Sequence, residues 1–250
     1  MRFRLIFEIA PPREPDLKKV FRQIEIFGPI VDAILVPDNH LGRPALSSLV
    51  IALEVRNLGF KPLVAINARD RNHLRLQSDL LTLRAYEIDE VLFLYGDRIE
   101  AGRCRLTVRD MLDDQVCMGL RRGVVASIGR PLGWRRSADF LVTKLAFRRA
   151  GAGYWREREG FPHPVYCGVI ALSDGVMARR VVGNIPGLKP PPGFLEAFAH
   201  DPDAGFRAAL KELDELYSSG IDGAHLVVPA GRRRFAELLE GWIASKGLRT

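Results

Sequence analysis

At 250 residues, 47% of them hydrophobic, the chain is long for one β-sandwich and ordinary for one α/β barrel, and no apolar run approaches the roughly 18 to 20 residues of a membrane span. A formal charge of +7, from 37 basic and 30 acidic side chains, suits anionic ligands, but no basic stripe interleaved with aromatics points to nucleic acid. Cys104, Cys117 and Cys167 form no C-x-x-C pair, and His40, His73, His163, His200 and His225 show no metal-ligand spacing, so the chain reads as one from a reducing compartment without a metal.

The opening MRFRLIFEIAPPREP puts two arginines before a short apolar stretch, but charge and proline return before a signal-peptide core develops. It reads as the first strand of a cytoplasmic protein. Strand-like runs lie over 3–9, 31–36, 62–66, 90–94, 123–128, 153–156, 165–172 and 223–228, the sixth being short and polar. Helix-like stretches alternate with them over 17–26, 45–58, from Leu74 onward, over 140–149, and over 206–217 with Gly220 as a stop. Arg232, Arg233 and Arg234 precede a stripe of Phe235, Leu238, Leu239, Trp242 and Ile243, and read as the solvated start of a terminal helix. The longest proline run, Pro190-Pro191-Pro192, is too short for a linker, and no glycine loop of a dinucleotide or P-loop fold is present. Eight βα units therefore predict an α/β fold, a single (β/α)8 TIM barrel forming one domain over 1–250.

The segment from Asn67 to Asp97 carries most of the detail. Leu74, Ser78, Leu81, Ala85 and Ile88 predict one buried helical stripe, with Arg75, Gln77, Asp79 and Arg84 facing water and Asp70 or Asn72 capping the start. The run Val91 to Leu94 then predicts a strand buried on both faces, ending in Tyr95-Gly96-Asp97.

In such a barrel the residues just after each strand build the functional face. Those positions hold Glu8, Asp38, Asn39, Asn67, Arg69, Asp70, Asp97, Ser127, Arg130, Arg156, Glu157, Arg158, Ser173, Asp174 and the stretch from Val228 onward, a mouth rich in carboxylates, amides and arginines. Any one of them could be a cap or a loop hydrogen bond. Glu8 differs, because an ionised carboxylate inside the apolar run Leu5-Ile6-Phe7-Glu8-Ile9 is costly unless it is paired or used.

Three stretches resemble the methylenetetrahydrofolate reductase family. Phe7-Glu8-Ile9-Ala10-Pro11-Pro12-Arg13 is similar to its F-E-F-x-P-P-[KR] opening, and Asp38-Asn39-His40 with Arg43-Pro44 and Ser47-Ser48-Leu49 is similar to a divergent D-N-P…R-P…S-S-L. Arg69-Asp70-Arg71-Asn72, Leu76-Gln77-Ser78-Asp79-Leu80-Leu81 and Gly96-Asp97 resemble its R-D-R-N…L-Q-S-D-L-L…G-D. Weaker echoes follow at Ala150-Gly151-Ala152, Ile185-Pro186-Gly187 with Pro192, and Gly220-Ile221-Asp222-Gly223-Ala224-His225.

The resemblance implies a flavin-dependent barrel that reduces 5,10-methylenetetrahydrofolate to 5-methyltetrahydrofolate, with NAD(P)H as reductant and FAD as carrier. It gives Glu8 the role of the acid that opens the folate's five-membered ring and Asp97 that of the anion stabilising the resulting cation, roles that a buried and a fixed carboxylate suit. It implies cofactor binding by Asn67, Arg69, Tyr95, Gly96, Asp97 and Ser127, and substrate binding by Asp38, Asn39 and Arg158. The departures cluster at the mouth: Ala65 and Asn67 replace a histidine and a threonine, Tyr95 precedes Gly-Asp, Ile128 replaces an aromatic, Phe147 a basic residue, and Arg156-Glu157-Arg158 a glutamine-bearing segment. They keep two alternatives open, a barrel oxidoreductase using another one-carbon carrier or a deazaflavin, and a non-catalytic pterin-binding partner subunit. A homo-oligomer or an electron-delivering partner is compatible with each.

Overall fold

Short apolar runs that must be buried on both faces have one economical arrangement, a parallel sheet wrapped by helices. In the computed structural model, which describes residues 2–39, 42–96, 106–145, 147, 157, 160–185 and 188–248, these runs close into a barrel. Its strands are β1 (Arg4–Glu8), β2 (Ala33–Val36), β3 (Pro62–Asn67), β4 (Glu90–Leu94), β5 (Arg121–Ala126), β6 (Phe140–Thr143), β7 (Val165–Ile170) and β8 (Gly223–Val227). Every neighbouring pair is parallel, and β8 returns to β1 in register from Arg4↔Gly223 to Glu8↔Val227. The (β/α)8 barrel expected from the alternation is the fold observed.

The helices are α1 (Lys18–Phe27), α2 (Ser48–Asn57), α3 (His73–Ala85), α4 (Val108–Asp113), α5 (Gly175–Asn184), α6 (Ala204–Ser218) and α7 (Arg232–Ser245). None in the described residues is long and apolar enough to cross a membrane. Their inner faces pack on the outward side chains of the strands: Val20, Ile24 and Phe27 of α1 share one core with Phe7 and Ile34, and Phe7 stacks on Phe27 at 3.8 Å. The inward side chains form a separate core of Ile6, Leu35, Leu63, Leu92, Phe140 and Tyr166. A Cβ on Gly123 would lie 2.1 Å from the Phe140 ring, so this glycine is what admits Phe140 to the barrel centre.

Strand alternation then divides the interior by height. Arg4 and Glu8 share the face of Ile6, so one lies below the apolar layer and the other above it. Below, Arg4 grips Glu90 through two hydrogen bonds of 2.6 and 2.9 Å, and Arg121 bonds the same carboxylate. Contact with Glu90 raises the Arg4 guanidinium further above its usual range, against the opposing effect of burial. The floor is thus closed by two guanidiniums sharing one carboxylate, which leaves the upper end for chemistry.

Four sequence expectations need correction. The run over 140–149, read as helical, begins with β6, and β6 takes the place between β5 and β7 that was assigned to 153–156, residues outside the described ones. So short a run, three apolar residues and a threonine, fits either period, and burial on both faces decides for the strand. Strand β5 lies two residues earlier than expected, ending at Ala126 and leaving Ile128 in the following loop.

Helix α3 is turned away from the expected stripe. Leu74 and Leu81 are 77% and 55% exposed, whereas Leu76, Asp79, Leu80 and Leu83 are buried. Two ion pairs explain it: Arg71 Nε donates to Asp79 at 2.8 Å and Arg75 approaches the other oxygen at 2.9 Å, so a carboxylate expected in water is neutralised inside. With Asp79 admitted, the Leu76, Leu80 and Leu83 ridge becomes the buried face. Asn72, not Asp70, caps the helix, accepting from the backbone of Arg75 at 2.8 Å. Finally, Arg232 is not part of a solvated start: the side chain is half-buried and its Nε is wholly covered.

Candidate functional site

Glu8 is the last residue of β1 and stands inside the mouth. On the adjoining strand β8, His225 shares the inward parity of Gly223 and Val227, and its Nε2 lies 2.9 Å from Glu8 Oε2. Both side chains are largely shielded from water. The contact has the length of an ion pair, although it is off the line of a hydrogen bond from Nε2. A carboxyl and an imidazole this close can exchange a proton after a small rotation of either side chain, and the carboxyl can pass it to a third group. Glu8 also borders a rim cavity of about 260 Å3 between β1, β8 and α7.

The β2 to β4 side is a second, tightly bonded cluster. Asp38 follows β2, and its Oδ2 accepts from Asn67 backbone N at 3.0 Å, from Asn67 Nδ2 at 2.6 Å and from Arg71. Arg71 is thereby shared between Asp38 and Asp79, and these two carboxylates raise it above its usual range despite burial. Asn67 Oδ1 in turn accepts from the backbone of Asp70 at 2.9 Å. Asn39, in the left-handed region at φ 46°, donates to Asp70 at 3.0 Å and so ties the β2 loop to the β3 loop.

Arg69 clasps Asp70 with two bonds of 2.5 and 2.6 Å, and this hydrogen bonding is the main reason that the Asp70 carboxyl is held down at about 2. Gly96 has φ +88° and sits where a Cβ would be 3.2 Å from Arg69 Cβ and 3.3 Å from Asn67 Cβ, so a glycine is required for the β3 and β4 tips to meet. Tyr95 beside it is 40% exposed, and Ser127, just past β5, is half-buried with its carbonyl accepting from Arg130 at 3.1 Å.

Of the residues singled out in the sequence, Asp38, Asn39, Asn67, Arg69 and Gly96 thus belong to one network or its packing, with Tyr95 next to it. Glu8 stands with His225, and Ser127 occupies the β5 edge. Asp97 and Arg158 lie outside the described residues. Phe147, aligned with a basic position, packs against Phe194 at 4.9 Å between ring centres. The described residues contain no group of three or more His, Cys, Asp or Glu side chains able to hold a metal.

Sequence reasoning missed His225, Arg71 and Arg232 as parts of the mouth. His225 was readable from the alternation in Gly223-Ala224-His225-Leu226-Val227, which sets it on the same face as Gly223 and Val227. Arg71 stood only within the Arg69-Asp70-Arg71-Asn72 stretch and Arg232 only at the opening of the last helix, with no sign of their roles, because their partners and surroundings come from other elements.

No family model matches the sequence, and neither does any curated protein. Solved structures share the fold. An uncharacterized protein from Clostridium thermocellum that binds two copies of 5-methyl-5,6,7,8-tetrahydrofolic acid superimposes with a TM-score of 0.65 at 10% identity, over 98% of this chain and 95% of that one. EDTA monooxygenase (EmoA) from Chelativorans sp. BNC1 gives a TM-score of 0.61 at 14% identity, over 100% and 95%.

Proposed function

We propose that this chain, as one domain in the cytoplasm, reduces a folate-bound one-carbon unit, converting 5,10-methylenetetrahydrofolate to 5-methyltetrahydrofolate with NAD(P)H and a flavin. The observation that carries the reading is the Glu8–His225 pair at 2.9 Å, an acid and a proton partner inside the mouth of a barrel. The barrel of the C. thermocellum protein, which binds the proposed product, supports the choice of a folate ligand.

FAD fits the β4 and β5 side of the mouth in part. Tyr95 is 40% exposed and Ser127 carries a hydroxyl, and the two would hold the flavin edge, with Gly96 allowing close backbone approach. Asn67 and Arg69 are already bonded to Asp38 and Asp70, so their part is to fix the β3 tip. When bound, FAD would supply the hydride relay between nicotinamide and folate.

The chain's own residues then have separable tasks. Glu8 donates a proton to a ring nitrogen of bound methylenetetrahydrofolate, which opens the ring to an electrophilic iminium. His225 holds the resulting Glu8 carboxylate and returns a proton to it. The rigid Asp38–Asn67–Arg71 cluster fixes the opposite wall and spares the site reorganisation. The resemblance to the family's G-D assigns to Asp97 the role of the anion that stabilises the iminium, and to Arg158 a role in substrate binding.

A second reading, a non-catalytic methyltetrahydrofolate-binding barrel, draws support from the internal bonding of Asn67 and Arg69 and from the ligand of the C. thermocellum protein. One experiment separates the two. The protein reconstituted with FAD should be bleached by NADH or NADPH and recoloured by methylenetetrahydrofolate. A protein that takes up no FAD yet binds methyltetrahydrofolate would instead be the binding subunit.

A further inference from the structure

We propose that the rim cavity between β1, β8 and α7 binds the phosphate group of a small phosphate monoester, held by Arg13, Arg43 and Arg232. This site adjoins Glu8, but its arginines need neither flavin nor folate to bind an anion.

Three guanidiniums line the cavity against one carboxylate, Glu8, and the remaining lining is apolar apart from its backbone, including Pro11, Pro37 and Val228. The lining therefore has a surplus of two positive charges. A phosphate monoester, with a charge of roughly −1.5 to −2 near neutrality, cancels that surplus where a single carboxylate cannot. Its oxygens also suit the planar fork of arginine.

The arginines here differ from those nearby. Arg234 on the same helix is bonded to Asp203 at 2.6 Å, and Arg207 to Asp201 at 2.6 and 2.8 Å. Among the described residues Arg13, Arg43 and Arg232 have no such carboxylate. Arg232 is the sharpest case: its Nε is fully covered and makes no hydrogen bond. Burial alone pulls its guanidinium below the usual value, the sign of a cation without a counter-charge. A buried donor left unmatched costs stability, and an anion in the cavity would relieve it.

A second cavity of about 380 Å3 shares Ala10, Pro11 and Arg232 with the first and adds Arg22, which also lacks a partner among the described residues. The organic part of the ester extends over Pro11 into this space. Arg232, common to both cavities, is the residue on which the phosphate is centred.

The test is calorimetric titration of the full chain at low ionic strength with inorganic phosphate, ribose 5-phosphate and glutarate, in the absence of flavin and folate. Saturable binding of both phosphate compounds is expected, with glutarate weaker. Arg232→Gln should weaken phosphate roughly 10-fold, the scale of one charge-assisted hydrogen bond, while Arg234→Gln leaves it within roughly 2-fold. If Arg232→Gln melts before it can be titrated, Arg43→Gln at an exposed position carries the same expectation. Absence of saturable binding, equal losses in Arg232→Gln and Arg234→Gln, or glutarate binding as tight as phosphate would overturn the proposal.

Discussion

Glu8 Oε2 and His225 Nε2 stand 2.9 Å apart although 217 positions separate them in the chain, because barrel closure pairs β8 with β1 in parallel register. Neither residue is exposed enough for water to screen the other fully, so a charge on one acts on the other more strongly than at the surface. Replacing His225 by Gln should leave the fold and flavin reduction by nicotinamide intact. The folate-dependent step should slow on the order of 10-fold, less than loss of the acid itself, and its pH profile should change shape. Stopped-flow reoxidation across pH checks this; an unaltered profile would remove His225 from the account.

Arg71 is the keystone of the opposite wall, shared between Asp38 and Asp79 with all three side chains under 10% exposed. Arg71→Met leaves two buried carboxylates facing an apolar chain, which should cost about 3–5 kcal/mol. Urea unfolding measures it. A loss below about 1 kcal/mol would mean that the wall is not held this way.

The two faces of α3 should respond oppositely. Leu80→Ala opens a cavity in the core and should destabilise by about 2–5 kcal/mol, whereas Leu74→Glu on the exposed face should stay within about 0.5 kcal/mol. Comparable losses at both positions would contradict the observed rotation of the helix.

Asp70 offers a pH test of the β3 tip. Its folded carboxyl is held down at about 2 chiefly by the Arg69 hydrogen bond, while the unfolded chain titrates near 4. A depressed folded value adds stability above the unfolded value and loses it as pH falls, so this contribution is complete above about pH 4 and fades toward about pH 2. The side chain is partly exposed, and the effect is correspondingly small. Carboxyl NMR should show the low midpoint, and Arg69→Gln should move it back toward the ordinary range; an unchanged midpoint would contradict the cause.

Much of the barrel was legible because strands buried on both faces leave short continuous apolar runs. Val91 to Leu94 and Val165 to Ile170 are such runs, each short and set between helix-like stretches. Phe140 to Thr143 was misread because three apolar residues and a threonine continue into Lys144-Leu145, a spacing that also suits a helix. The α3 face was misread for a different reason: Asp79 scores as polar by residue type, and only its pairing with Arg71 makes it a core residue. At the mouth, Glu8 and Asp38 were marked by their positions after strands. The partners His225, Arg71 and Arg232 were not, since each acts across elements that sequence spacing does not relate.

The measurement that bears most directly on the account is the pair of half-reactions of Glu8→Gln, followed in the reconstituted protein by flavin absorbance. Reduction by NADH or NADPH should proceed at close to the parent rate, and reoxidation by methylenetetrahydrofolate should slow roughly 100-fold or more, the scale of losing a general acid. Equal loss in both halves, or no loss in the second, would contradict Glu8 as the proton donor and with it the proposed reaction.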